Sequence, residues 1–459
     1  MKKHCRSWLL LAVMAPLVPM MAAPAELAAQ ANFKQEAGTL PDGTSYRMRV
    51  PPNWNRVLIS DLDFANARAA DNERNMYLLE RGYAVSGTAR HPRRQYEYDP
   101  AREISRLIQV LDLFEARFGK PMRVIQYGHS GGGHIALAMS EVRPDRIDGA
   151  IAGCGHTPVW LMNTMLDGWF VLKALVAPDL AMVDLPEDHK AITAAWRKAL
   201  EDAQQTPAGR ARIALAVTTG QWPAWVSDRT PKPDARDVAA LEKSMFETVF
   251  QAAAEPGGQS RFMFEHSAGQ LSWNGGIEYK KLFDNGNEAY KRAVRTLYSE
   301  AGLDLKGDLD RINAFPRISA KPAALDFWSS APGRSVTAMP RVPVLRIHTI
   351  GDLEVPISLI QGYEAKIHEN GRDSWFRTAV VDSPGHCTFT VAESAAAIET
   401  LMRRLDTGHW GNSADPEQLN KLATSLNKGG SRFIKFTEEK YNRPWFPKTS
   451  AGAASSRTN

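Results

Sequence analysis

The sequence predicts an α/β protein: a mostly parallel sheet with helices on both faces and a large helical insertion after the sixth strand. Three observations predict it. Short apolar runs bounded by turn residues alternate with segments whose apolar residues recur at helical spacing, first across 36–156 and again across 340–448. Between 157 and 339 the strand signal almost vanishes while helical stretches persist. One strand-to-helix junction reads Gly128-His129-Ser130-Gly131-Gly132, a sharp turn rich in small residues.

In chain order, Lys2, Lys3 and Arg6 precede an apolar run over 8–23 that Pro16 and Pro19 interrupt, and small residues follow at Ala23, Ala25, Ala29 and Ala31. That is the layout of a cleaved export signal over 1–29. A run this short, holding two prolines, falls below the ~20 residues a membrane span needs, so no stable membrane anchor is expected. The protein is expected in the periplasm or secreted. Pro41-Asp42-Gly43 then turns the chain into a strand over 44–50, where Tyr46, Met48 and Val50 alternate with polar residues. Apolar runs at 56–62 and 83–89 read as strands around a helix over 73–81. From 101 to 118 Ile104, Leu107, Ile108, Leu111, Phe114 and Phe118 form one apolar helix face, stopped by Gly119 and Pro121. A strand over 122–127, a helix over 131–141 and a strand over 147–153 complete this half. Alternating strands and helices imply parallel pairing with right-handed crossovers.

Residues 157–339 are expected to form a cap, with helices over 190–203, 237–253 and 287–300. Seven of the 12 tryptophans fall there and offer aromatic walls to a substrate or simply packing. Strands over 342–350 and 375–381 and a helix over 391–405 resume the pattern. The segment 449–459 is small and polar and reads as a disordered tail.

Composition excludes other classes. At 44% hydrophobic and 23% charged the chain is an ordinary globular protein. Removing Lys2, Lys3 and Arg6 lowers the formal net charge from +5 to +2, and without a basic face nucleic acid is not an expected partner. Two cysteines then remain, Cys154 and Cys387, which suit either a disulfide or two buried apolar side chains. No His, Cys and Asp grouping has metal-ligand spacing, so neither a metal nor another cofactor is expected.

The chemistry sits at strand ends. Ser130 lies on a Gly-x-Ser-x-Gly turn between a strand and a helix, a context that lifts its hydroxyl clear and aims the helix N-terminal N–H groups, Gly131's among them, at the same point. A serine hydroxyl needs a base, and the base needs an orienting acid. Asp352 follows the strand ending at Ile350, and His386 follows the next strand in Ser383-Pro384-Gly385-His386. The order Ser, Asp, His places all three on the carboxyl edge of a parallel sheet. Glu354 is a rival acid; His129, His134, His156 and His348 read mainly as structural groups.

The elbow 128–132, Gly351-Asp352 with Val355-Pro356, and Gly385-His386 resemble the α/β-hydrolase superfamily, in particular secreted bacterial serine esterases with a helical cap. The resemblance implies a Ser130, His386, Asp352 triad working without a cofactor. Where many relatives carry His-Gly after the third strand, this chain reads Ile59-Ser60-Asp61-Leu62-Asp63-Phe64. The second oxyanion donor is then the N–H of Leu62 or of Asp63, and the two carboxylates there are turn residues or repel anionic substrates. A bond between Cys154 and Cys387 would tie the histidine loop to the sheet. The expected function is hydrolysis of a small-molecule or polymeric ester through an acyl-enzyme. Amide cleavage of the aminopeptidase type is the alternative, needing a cap acid such as Glu265 or Glu278 for a substrate ammonium. A non-catalytic binding protein on this fold is the third.

Overall fold

A computed structural model describes residues 33–436 together with Tyr441 and Arg443; the expected leader (1–29) and tail (449–459) lie outside the described residues. The strands are β1 (Lys34–Thr39), β2 (Ser45–Val50), β3 (Val57–Asp61), β4 (Ala84–Thr88), β5 (Arg123–His129), β6 (Gly149–Gly153), β7 (Val344–Gly351), β8 (Phe376–Pro384) and β9 (Phe433–Ile434). They form one sheet in the order β1-β2-β4-β3-β5-β6-β7-β8-β9. The central strands from β3 to β8 pair in parallel, and β1, β2 and β9 close the edges antiparallel. This is the α/β-hydrolase fold.

The sheet is covered on both sides, which is why β3, β4 and β6 read as short unbroken apolar or small-residue runs. Alternate strand residues feed two cores. Leu58, Val124 and Ala150 join the core built on the helices Pro100–Phe118 and Gly131–Val142. Ile59, Ile125 and Ile151 join the other, built on Glu73–Glu80, Val391–Thr407 and Pro416–Leu426. The helix Pro100–Phe118 starts where Asp99 caps the N–H of Ala101 and ends at Gly119, whose φ of 87° no β-carbon-bearing residue adopts cheaply.

Nine helices, from Pro158–Leu175 to Pro322–Ser330, intervene between β6 and β7 among the described residues. Their apolar side chains belong to the same cluster as the Leu58 face of the sheet. The first of them buries every side chain except Lys173. Trp169, Trp196, Trp222 and Trp328 are fully buried, and Trp169 meets Trp196 edge-on at 4.9 Å between ring centroids. Trp169, Trp196 and Trp328 pack the insertion, whereas Trp222 also lines a cavity together with Trp225 and Tyr290. Trp169→Ala is therefore expected to cost about 3–5 kcal/mol, checked by urea unfolding, because a ring of that volume leaves a cavity its neighbours only partly close. No helix among the described residues is long and apolar enough to cross a membrane.

Candidate active site

The site starts with a strained turn. Ser130 has φ 55° and ψ −118°, outside the usual helix and strand regions, and is followed at once by the helix Gly131–Val142. Such a conformation costs on the order of 1–3 kcal/mol and persists where surrounding structure enforces it. Here the Ser130 N–H donates to the Gly153 carbonyl at the tip of β6, 2.8 Å away. The helix's first turn also folds back on β5: a β-carbon on Gly128 would stand 2.4 Å from Gly132 backbone atoms. Gly132 itself has ordinary room, 3.6 Å from Leu62 Cβ, whereas Gly133 is pressed against Gly153 and Gly155. The positions that must be glycine are thus 128 and 133, not the pair two before and two after the serine.

Asp352 and His386 meet as the strand ends direct. Asp352, fully buried just past β7, accepts a hydrogen bond from the Val355 N–H through Oδ1 at 2.9 Å and from His386 Nδ1 through Oδ2 at 2.7 Å. The loop carrying His386 is pinned by Gly385 N–H donating to the Gly351 carbonyl and by Thr349 Oγ1 donating to the Gly385 carbonyl. Burial alone would push the His386 imidazole down. The Asp352 carboxylate, with Cys387 beside it, outweighs burial and holds it well above the ordinary histidine range. Glu354 does not compete for Nδ1; its Oε2 lies 3.5 Å from Nε2, on the opposite side of the ring. No hydrogen bond joins Ser130 Oγ to His386 among the described residues, but the two loops converge on one carbonyl. Cys387 Sγ is 3.8 Å from the Gly153 oxygen that the Ser130 N–H binds.

Cys154 and Cys387 do not form the disulfide their number suggested: both are free thiols. The two sulfurs lie within 4.8 Å of each other and Cys387 Sγ is 3.8 Å from His386 Nε2, so the thiols are neighbours without being bonded. The ligand atoms of Cys154, Asp352, His386 and Cys387 lie within 4.8 Å of one another, the grouping through which the described residues could hold a soft metal ion. They come from three strand ends, so no spacing along the chain announces them, and Asp352 and His386 are already engaged with each other.

The loop after β3 separates the two oxyanion candidates. The Asp63 N–H donates to Asp61 Oδ1 at 3.1 Å and is spent. Leu62 is buried with its Cβ against Gly132, and its N–H has no acceptor among the described residues. Nor do the carboxylates leave a negative patch. Asp61 is paired with Arg74, and Asp63 is held by Arg90 through both oxygens at 2.7 and 2.9 Å.

Two guanidiniums that the sequence did not single out face the elbow. A β-carbon on Gly131 would lie 2.8 Å from Arg94 Nη2 and 3.7 Å from Arg90 Nη1. Arg94 is fixed by Glu103 at 2.9 Å and lies over the Tyr98 ring at 4.3 Å. Three of the remaining histidines are held by neighbouring groups. Nδ1 and Nε2 of His134 face the carbonyls of His156 and Gly333, and burial pushes its imidazole down to about 4. His348 Nε2 faces the Val355 carbonyl, and burial takes its imidazole to about 3. His129, its ring tilted against that of Tyr127 and held to the Tyr127 hydroxyl at 2.7 Å, is kept neutral mainly by burial. His156 is buried with Nδ1 unpartnered beside His134.

No protein-family model matches the chain. Solved structures similar to it include an esterase of Pyrococcus furiosus, 13% identical with a TM-score of 0.38, covering 85% of this chain and 96% of that one. Feruloyl esterase B of Aspergillus oryzae is 14% identical with a TM-score of 0.35, covering 77% and 74%. The sequence comparison reaches much further: over 443 residues the chain is 49% identical to the o-phthalyl amidase of Xanthobacter agilis, covering 90% of this chain and 97% of that one. An α/β-hydrolase by its sheet and a hydrolase by its relative, the chain belongs to the family of that o-phthalyl amidase.

Proposed function

We propose that the protein cleaves the amide bond of o-phthalyl amides, whose acyl half is a benzoyl ring with a free carboxylate ortho to the amide. Ser130 Oγ attacks the amide carbonyl while His386 Nε2 takes its proton, and Asp352 fixes the imidazole through Nδ1. The N–H groups of Gly131 and Leu62 receive the developing oxyanion, and Asp63 has no part in this. The imidazolium then returns its proton to the leaving nitrogen as the C–N bond breaks. Water releases the acyl group from Ser130 by the same steps.

The observation that carries this reading is the pair of guanidiniums at the elbow. A site for the ammonium of a peptide substrate needs an anion near the nucleophile. Here Arg90 and Arg94 face Gly131, the nearby Asp63 is paired with Arg90, and Glu354 lies against His386 Nε2, on the side of the leaving group and not of the acyl group. Of the cap acids considered, Glu265 is spent on Arg261 and on the Asp184 N–H, and Glu278 is exposed at a helix start. A planar fork of donors beside the attacked carbonyl suits a carboxylate a few ångströms from it, as the ortho position supplies. This favours amides of an acidic acyl group over simple esters and over aminoacyl amides.

The test compares the anilides of phthalic acid and of benzoic acid. The wild type is expected to prefer the first strongly, and Arg90→Gln and Arg94→Lys to lower that preference about 10- to 100-fold each, the worth of a charge-assisted hydrogen bond. Arg94→Lys keeps a cation beside buried Glu103, so the fold is preserved. Equal turnover of both anilides by the wild type would refute the substrate assignment. With residues 1–29 as a cleaved leader, the reaction takes place in the periplasm or outside the cell; the N-terminal sequence of the mature protein checks this.

A further inference from the structure

Two carboxylates take opposite sides of one imidazole. Asp352 Oδ2 holds Nδ1 at 2.7 Å, and Glu354 Oε2 lies 3.5 Å from Nε2. Every proton that moves between Ser130 and the leaving group passes through Nε2, so the leaving atom must come to rest beside Glu354 as well. For an ester that atom is an oxygen without a hydrogen. For a secondary amide it is a nitrogen with an N–H of its own. To accept the proton from Nε2 the nitrogen must turn its lone pair toward the ring, which swings its N–H toward the flank, where an unpaired donor would be costly.

Asp352 cannot serve as acceptor there, being fully buried with its oxygens on Val355 N–H and His386. Glu354 is 36% exposed and borders a small cavity lined by Met165, Gln251, Gln259 and Leu353, space into which a leaving amine can extend. Resting on the amide-cleaving function proposed above, we infer that Glu354 accepts the hydrogen bond of the scissile N–H and thereby favours amides over esters of the same acid. The step balances without it changing protonation. One proton goes from Ser130 Oγ to Nε2 and on to the nitrogen as the C–N bond breaks, and Glu354 only accepts a hydrogen bond.

The experiment measures kcat/KM on the anilide and the methyl ester of one acid, in the wild type, Glu354→Gln and Glu354→Ala, with thermal unfolding of each as a control. Glu354→Ala is expected to lose about 10- to 100-fold on the anilide and less than about threefold on the ester. Glu354→Gln, whose side-chain oxygen still accepts, is expected to lose less. Equal losses on both substrates would mean that Glu354 acts through the imidazole, and unchanged rates would mean that it does not act; either overturns the inference. A wild type that cleaves the ester and leaves the anilide intact overturns the amide function itself, and the inference with it.

Discussion

Ser130→Ala is expected to lower kcat/KM about a million-fold while leaving the thermal unfolding temperature nearly unchanged, and to abolish labelling by a fluorophosphonate. The size of the effect follows from what remains: with no attacking oxygen, the N–H groups of Gly131 and Leu62 can still polarise a carbonyl, but only water can attack it. Stability is spared because the Ser130 side chain makes no hydrogen bond among the described residues. The strained turn is held by backbone alone, through the Ser130 N–H to the Gly153 carbonyl and the close packing of Gly128 on Gly132. Alanine tolerates that conformation about as well as serine. Activity retained within tenfold of the wild type would remove Ser130 from the reaction, and with it the acyl-enzyme route.

What the sequence made legible was local. The elbow, the central strands and the helix Gly131–Val142 each carry their signal within about a dozen residues, and Asp352 and His386 announce themselves by standing one or two residues past strand ends. What escaped was set by distant packing. β1, with the sequence Lys-Gln-Glu-Ala-Gly-Thr, is an exposed edge strand paired, among the described residues, with β2 alone, so it has no apolar alternation to show. The helix Pro158–Leu175 is buried on every side, its polar Asn163, Thr164 and Asp167 included, which erases the periodicity that marks a surface helix. Arg90 and Arg94 look like any basic pair in a turn until the chain brings them to Gly131. The choice between Leu62 and Asp63 turned on an Asx turn: Asp61 takes the Asp63 N–H, and the sequence Asp-Leu-Asp does not say which amide its side chain binds. The free state of Cys154 and Cys387 is a matter of where two sulfurs point beside His386, which their number cannot reveal.

Asp352→Asn is expected to cost about 10,000-fold in kcat/KM with the fold intact, and the reason is a tautomer. Oδ1 of Asp352 accepts the Val355 N–H, a bond the asparagine keeps by placing its own oxygen there. Its NH2 group then faces His386 Nδ1, which must become an acceptor, so the imidazole proton moves to Nε2. An Nε2 that already carries hydrogen cannot take one from Ser130. Glu354 cannot rescue the variant, since it lies on the Nε2 side and would accept that misplaced N–H, fixing the wrong tautomer more firmly. The residual activity should also shift in pH. In the wild type the Asp352 charge holds the imidazole well above the ordinary histidine range, so activity rises with pH only as that raised value is passed. Without the charge, burial pulls the imidazole down and the acidic limb of the profile moves to lower pH. A loss of less than about tenfold, or a limb that stays in place, would assign the orienting role to some other carboxylate.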